Sequence, residues 1–359
     1  MMIIKKIIIN NFKNISFIEI EPTQKINIIN GQNAQGKTNL IESIWLFTGM
    51  KSFRGSKDAE LVKFGQENCK LQLNFLSEGI EKQAEIIISE KKEVFLNQKK
   101  LKNGSDIAGE FNAVVFNPND LLIISGSPKE RRKFLDICIG QIYPKYINVL
   151  KEYTRAVKQR NNLLKESIKD STLEFLIEDF EKIIILQGKK IIDYRIKYLN
   201  LLKEEAIKIY DGISGNKEIL KIEYLSSVFE NFEKELILAR KTDKFKGITS
   251  VGPHRDDIIF KINGQNAKEF SSQGQKRSIA LSLKLAEAKI IEKIIGESPI
   301  ILLDDVLSEL DKNRRNFILN EISNKQVFIS CCEEDNFKEL KNGKIFEVKE
   351  GCIEKCICI

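Results

Sequence analysis

A chain of 359 residues with 42% hydrophobic and 30% charged side chains is long enough for one large core or several ordinary domains, and that balance excludes a disordered or fibrous protein. The formal net charge of +7 permits nucleic acid or anionic lipid as a partner without demanding either. No apolar run reaches the roughly 18 residues of a membrane span, and the segment from Met1 to Asn10 lacks the cleavage site of a secretory signal, so a cytoplasmic protein is expected.

The first apolar runs read as strands: Ile3 to Ile9, Phe17 to Ile20 before Pro22, and Ile26 to Ile29, closed by Asn30 and Gly31. Thr38 to Phe47 reads as a helix with Leu40, Ile41, Ile44 and Trp45 on one face. From Lys70 to Leu101 apolar and polar residues alternate again, with Asn97-Gln98 as a hairpin turn. None of the six prolines falls between 145 and 252. That tract is dense in Leu, Ile, Lys and Glu and carries Leu173, Leu176, Phe180, Ile183 and Ile184 at helical spacing, so it reads as several packed helices broken near Gly212 and Gly215. After 247 the pattern becomes a helix from Gln275 to Ile291, a strand from Pro299 to Leu303, a helix from Lys312 to Ser323 and a strand from Gln326 to Ser330. The expectation is an α/β nucleotide-binding head with an inserted α-helical arm: head residues 1–124, arm 125–246, head again 247–359.

Gly31-Gln32-Asn33-Ala34-Gln35-Gly36-Lys37-Thr38 matches the phosphate-binding pattern G-x-x-x-x-G-K-[ST], and it lies between an expected strand and an expected helix. The glycines let the loop wrap its N–H groups around phosphates, Lys37 adds a cation, Thr38 offers a hydroxyl to Mg²⁺, and the helix points its positive end at the anion. The strand at 300–303 ends in Asp304-Asp305. Asp304 is placed to hold Mg²⁺ and Asp305 to orient or deprotonate the attacking water. Ser271-Ser272-Gln273-Gly274-Gln275 opens the helix before that strand and makes a second anion-binding end from Ser272, Gly274 and Gln275.

In that order, these three elements and Ser308-Glu309-Leu310-Asp311 resemble the ABC ATPases of the SMC/Rad50 group. The resemblance implies ATP and Mg²⁺ as cofactors and an ATP-dependent homodimer in which Ser272 and Gly274 of one subunit complete the other's site. It places Ser308 and Asp311 at the dimer interface and brings Lys13 and Asn14, within Asn11-Phe12-Lys13-Asn14, to the phosphates. Further segments resemble the RecF family of recombination mediators: Lys51-Ser52-Phe53-Arg54-Gly55, Phe116 to Leu121, Gly126-Ser127-Pro128 with Arg131 and Arg132, and Gly252-Pro253-His254-Arg255-Asp256-Asp257.

That likeness implies a DNA-binding ATPase that hydrolyses slowly under DNA stimulation. Its expected DNA is gapped, single-stranded or duplex, its partners are RecR and RecO, its task is loading RecA in repair, replication restart and the SOS response, and no membrane is involved. Two positions depart from the pattern. Ser330-Cys331-Cys332 stands where relatives place a γ-phosphate sensor, with His254 as a possible substitute or simply a packing histidine, and Asn117 or Asn119 stands near the usual glutamine.

Basic clusters at Lys99, Lys100 and Lys102, at Lys129, Arg131, Arg132 and Lys133, and at Lys189, Lys190, Arg195 and Lys197 are candidate DNA contacts or solvated faces. The cysteines read as reduced thiols ahead of a metal site, because no paired C-x-x-C units occur. The alternative function is an SMC/Rad50-like DNA-tethering ATPase, but the stretch between the two phosphate-binding ends lacks a long heptad coiled coil.

Overall fold

Alternation sets the first layer. In the computed structural model, which describes residues 1–167, 171–228, 231–332 and 343–358, β1 (Ile3–Phe12) buries Ile3, Ile4, Ile7 and Ile9. It pairs antiparallel with β2 (Ile15–Ile20) on one side. Then come β3 (Ile26–Asn30) and helix α1 (Lys37–Trp45). The alternating tract supplies β4 (Cys69–Ser77), β5 (Ile80–Ile88), β6 (Lys92–Leu96) and β7 (Lys99–Lys100), and β8 (Ala113–Phe116) follows. One antiparallel sheet runs β2-β1-β4-β5-β6-β7. Its last hairpin turns at Asn97 and Gln98, both at positive φ (47° and 66°), the left-handed pair that a tight two-residue turn requires.

Residues Leu121–Ile279 form a separate compact unit. It holds α2 (Leu122–Ser125), α3 (Pro128–Ile142), α4 (Pro144–Glu166) and the 41-residue α5 (Glu174–Ser214). Gly212 lies inside α5, and only Gly215, at φ 64°, ends it. The middle is not wholly helical: β9 (Leu220–Leu225) precedes α6 (Phe232–Lys246), and β10 (Asp257–Ile262) and β11 (Gln265–Asn266) precede α7 (Ala267–Phe270). β9 and β10 pair antiparallel from Asp257 opposite Leu225 to Ile262 opposite Leu220. That pairing keeps 247–279 with the middle unit, whereas the sequence placed a boundary at 247.

The remaining unit joins Met1–Asp120 to Ala280–Ile359, the division falling inside α8 (Gln273–Ile295). Its later elements are β12 (Ile300–Asp304), α9 (Lys312–Glu321), β13 (Val327–Cys331), β14 (Gly343–Lys349) and β15 (Cys352–Cys358). The second sheet of this unit runs β15-β14-β3-β13-β12-β8, parallel except for β15. β8, β12 and β13 are buried along their whole length, which is why they read as continuous apolar runs and not as alternating ones. β3 and β12 run parallel, so both carboxyl ends lie at the same edge of the sheet.

Candidate nucleotide site

The loop from Gly31 to Thr38 links β3 to α1. Gly36, at φ 113°, adopts a backbone conformation that side chains resist. A Cβ at Gly31 would lie 2.4 Å from the Val348 carbonyl oxygen, so only glycine fits there. Gln32, Asn33 and Ala34 form the exposed tip, and Gln35 is pinned by Gly351 N donating to its carbonyl (3.0 Å) and Glu350 N donating to Oε1 (2.6 Å). The Lys37 ammonium donates to the carbonyls of Gly31 (2.7 Å) and Gln32 (2.9 Å) and to Cys332 Sγ (3.2 Å). Cys332 in turn donates to Asn33 Oδ1 at 3.0 Å. A compact cation is thus held inside the loop by neutral acceptors.

Thr38 and Asp304 meet. Thr38 Oγ1 donates to Asp304 Oδ1 at 2.8 Å, and Ser330 Oγ lies 2.9 Å from the same oxygen. Burial pushes the Asp304 carboxyl above the usual carboxylate range, opposed by the hydrogen bonds from Thr38 and Ser330. A hydroxyl and a carboxylate in contact fit the hard-oxygen donor set of Mg²⁺. Asp305 sits at φ 53°, with its N–H donating to Ser330 Oγ at 2.9 Å. Ser330 Oγ also lies 3.3 Å from Asp305 Oδ1, so one hydroxyl touches both acids. Ser330 was not assigned by the sequence; its place at the end of the strand beside β12 was the available signal.

Of the two residues expected at the phosphates, Asn14 is at the loop and Lys13 is turned away from it. Asn14 Nδ2 donates to the Ala34 carbonyl (3.2 Å), its Oδ1 accepts from Asn39 Nδ2 (2.7 Å), and a Cβ on Gly36 would come within 2.9 Å of it. Lys13 instead donates to Glu42 Oε2 (2.6 Å) and Ser56 Oγ (3.1 Å). Glu42 on α1 is fully buried, and a buried carboxylate needs a cation. Ser52 also donates to Glu42, and Arg54 NH1 donates to Asn39 Oδ1 at 3.0 Å. The segment 51–55 therefore clasps the helix that carries Lys37 and Thr38.

In the other unit, Ser272 and Gln275 cap α8 reciprocally: Ser272 N donates to Gln275 Oε1 (2.8 Å) and Gln275 N to Ser272 Oγ (3.2 Å). Gln275 Nε2 also donates to Glu218 (2.7 Å), and Gly274 lies in the first turn. Ser272 is exposed. The helix end is formed, with its hydroxyl at the surface. Ser308 Oγ donates to the Asp305 carbonyl (2.9 Å), and Asp311 caps α9 by accepting from Arg314 N (3.0 Å).

Residues 3–354 match the RecF/RecN/SMC N-terminal domain family. The DNA replication and repair protein RecF of Clostridium acetobutylicum is 41% identical, covering 98% of this chain and 99% of that protein. RecF of Bacillus cytotoxicus is 38% identical over 98% of each. The chain belongs to the RecF family. A solved structure of the recombination mediator protein RecF-ATPrS in the RecFOR pathway superposes with a TM-score of 0.92 at 38% identity, covering 99% of this chain and 98% of that one. An Smc head domain from Pyrococcus furiosus shares the fold at a TM-score of 0.57 and 18% identity. Membership makes this an ATP-binding, ABC-type ATPase with the family's role of recombination mediator in DNA repair.

The remaining RecF-like segments mate within the middle unit. Arg131 makes a two-pronged pair with Asp257 (Nε 2.6 Å, NH2 2.9 Å), and Arg132 NH1 donates to the Asp256 carbonyl at 2.7 Å. Arg195 is buried, donating to Asp136 Oδ1 (2.9 Å) and the Pro253 carbonyl (2.6 Å). Arg131 and Arg195 are thus core ion pairs rather than DNA contacts. Lys129, Lys133, Lys189, Lys190 and Lys197 remain exposed. His254 is a packing residue: Nε2 donates to the Thr249 carbonyl at 2.9 Å, so Nδ1 accepts from Tyr153 Oη at 2.6 Å. Burial pulls its pKa down to about 4, and both ring nitrogens are occupied.

Proposed function

We propose that this protein is an ATP-switched DNA clamp that helps load RecA at gaps in the cytoplasm, with Mg²⁺ and with RecR and RecO as partners. The observation that carries the reading is the contact of Thr38 with Asp304, which joins the P-loop helix to the acid-bearing strand as one metal-binding end. Lys37 and the loop N–H groups hold the phosphates, Asn14 braces the loop, and Thr38 and Asp304 hold Mg²⁺. Asp305 takes a proton from water as that water attacks the γ-phosphorus and ADP leaves.

Ser272, Gly274 and Gln275 present a helix N-terminus to the second subunit's γ-phosphate, so ATP closes the dimer and hydrolysis opens it. An aspartate one methylene shorter than glutamate at position 305 suits slow turnover, with DNA raising it. Exposed lysines on α3 and α5 supply backbone contacts to DNA. Support for the cytoplasm is that no helix among the described residues is long and apolar enough to cross a membrane. Anisotropy with duplex, single-stranded and gapped DNA, each with ATP and with ADP, tests the reading. Tighter binding with ATP is expected; affinity indifferent to nucleotide would overturn it.

A further inference from the structure

β13 lies between β3, which feeds the P-loop, and β12, which carries the acids, so its carboxyl end reaches both halves of the nucleotide site. Ser330 stands opposite Asp304 in the parallel register and is buried, at 3% exposure. The Cys331 carbonyl accepts from Gly31 N (3.3 Å), and Cys332 Sγ accepts from Lys37 Nζ (3.2 Å). The P-loop therefore fixes the strand end that presents Ser330. A serine hydroxyl has one proton to give and two lone pairs with which to accept. Ser330 Oγ lies 2.9 Å from Asp304 Oδ1 and 3.3 Å from Asp305 Oδ1, so the shorter contact takes the proton. The same oxygen accepts the Asp305 N–H at 2.9 Å.

That second bond matters because Asp305 turns at φ 53°, a left-handed conformation that a residue with a Cβ keeps only when its surroundings hold it. Ser330 holds the turn at its N–H, and Ser308 Oγ holds it at its carbonyl (2.9 Å). We propose that Ser330 is a positioning residue for hydrolysis: it clamps the backbone of Asp305 in this turn and so aims the carboxylate that takes the proton from water. The proposal rests on Asp305 as that base. Asp304 does not depend on Ser330 alone, since Thr38 bonds the same oxygen at 2.8 Å. Loss of the Ser330 hydroxyl therefore falls on activation of the water and spares nucleotide binding.

Phosphate release and Mg²⁺-ATP affinity of the parent, Ser330→Ala, Ser330→Thr, Asp305→Asn and the combined Ser330→Ala with Asp305→Asn proteins test this. In Ser330→Ala, kcat should fall on the order of tenfold, the size of a lost outer hydrogen bond at a metal-assisted site. The Kd for Mg²⁺-ATP should stay within about twofold, because Thr38 remains on Asp304. Ser330→Thr keeps a hydroxyl on a strand residue and should restore most of the turnover. Adding Ser330→Ala to Asp305→Asn should cost little more, because a residue that acts through Asp305 has nothing left to aim. Parental kcat in Ser330→Ala, equal losses in Ser330→Ala and Ser330→Thr, or full additivity with Asp305→Asn would overturn the positioning role and leave Asp305 as the base. Parental turnover in Asp305→Asn would remove the base itself, and the proposal with it.

Discussion

Thr38 Oγ1 lies 2.8 Å from Asp304 Oδ1, although 266 residues separate them in the chain. Long-range pairing of β3 and β12 on either side of β13 brings their ends to the same edge of the sheet, and the hydroxyl–carboxylate contact forms there. Asp305, one residue on, turns at positive φ; Ser330 contacts both acids, whereas Thr38 bonds Asp304. The two acids therefore answer differently to the same change. Asp304→Asn should weaken Mg²⁺-ATP binding and dimerisation together, whereas Asp305→Asn should keep ATP binding and slow phosphate release by about a hundredfold. Phosphate release and nucleotide affinity measured on both variants check the division; equal loss of ATP binding in the two would contradict it.

Lys37→Arg keeps the charge but replaces a compact ammonium with a planar fork. The Gly31 and Gln32 carbonyls and Cys332 converge on that ammonium, and a guanidinium cannot reproduce the geometry. Turnover should fall about a hundredfold. Wild-type turnover in a phosphate-release assay would remove Lys37 from the site.

The Arg131–Asp257 pair joins the start of α3 to the start of β10. Arg131→Met leaves a carboxylate unpaired in a partly buried place and should cost about 3 kcal/mol, toward the low end for a broken buried pair because Asp257 keeps some water contact. Urea unfolding of the single variant and of Arg131→Met with Asp257→Asn tests this: the double variant should recover part of the loss.

His254 links pH to stability. The folded protein holds it neutral, with a pKa of about 4 against 6.5 for the ordinary side chain, so between those values the unfolded chain binds the extra proton. Stability should therefore fall as pH drops through 6.5 toward 4, by about 2 kcal/mol at pH 5 from this group. Urea midpoints at pH 7 and pH 5 for the parent and His254→Gln separate this share from that of the carboxylates. An equal pH dependence in both proteins would show that His254 does not carry it.

What the sequence made legible follows from locality. The P-loop needs glycines, a lysine and a threonine at fixed spacing, and β12 declares itself by Ile300 to Leu303, so both stand in the sequence as they stand in the fold. β9 was hidden because Leu220 and Ile222 alternate within a tract rich in lysine and glutamate, and only its pairing with Phe260 and Ile262 of β10 makes it a strand. Lys13 was expected at the phosphates from the resemblance of Asn11-Phe12-Lys13-Asn14 to a family motif, and nothing local reveals Glu42, 29 residues on, as its partner. Ser330-Cys331-Cys332 stood out only as a departure from the expected sensor position, and the contacts of Ser330 with Asp304 and of Cys332 with Lys37 emerge once β13 is laid between β12 and β3. Arg131 and Arg195 read as DNA contacts or solvated faces, and His254 as a phosphate sensor or a packing histidine; the sequence shows none of the partners inside the middle unit that bury the two arginines and engage both nitrogens of the ring.

The central claim is that ATP closes two of these chains into a dimer through Ser272. Sedimentation velocity of the parent and Ser272→Arg proteins, each with ATP, with ADP and without nucleotide, tests it most directly. The parent should sediment as a dimer with ATP alone and as a monomer otherwise, while Ser272→Arg binds ATP near parental affinity and stays monomeric. A parent protein that remains monomeric with saturating ATP, or a Ser272→Arg protein that dimerises as fully as the parent, would contradict the account.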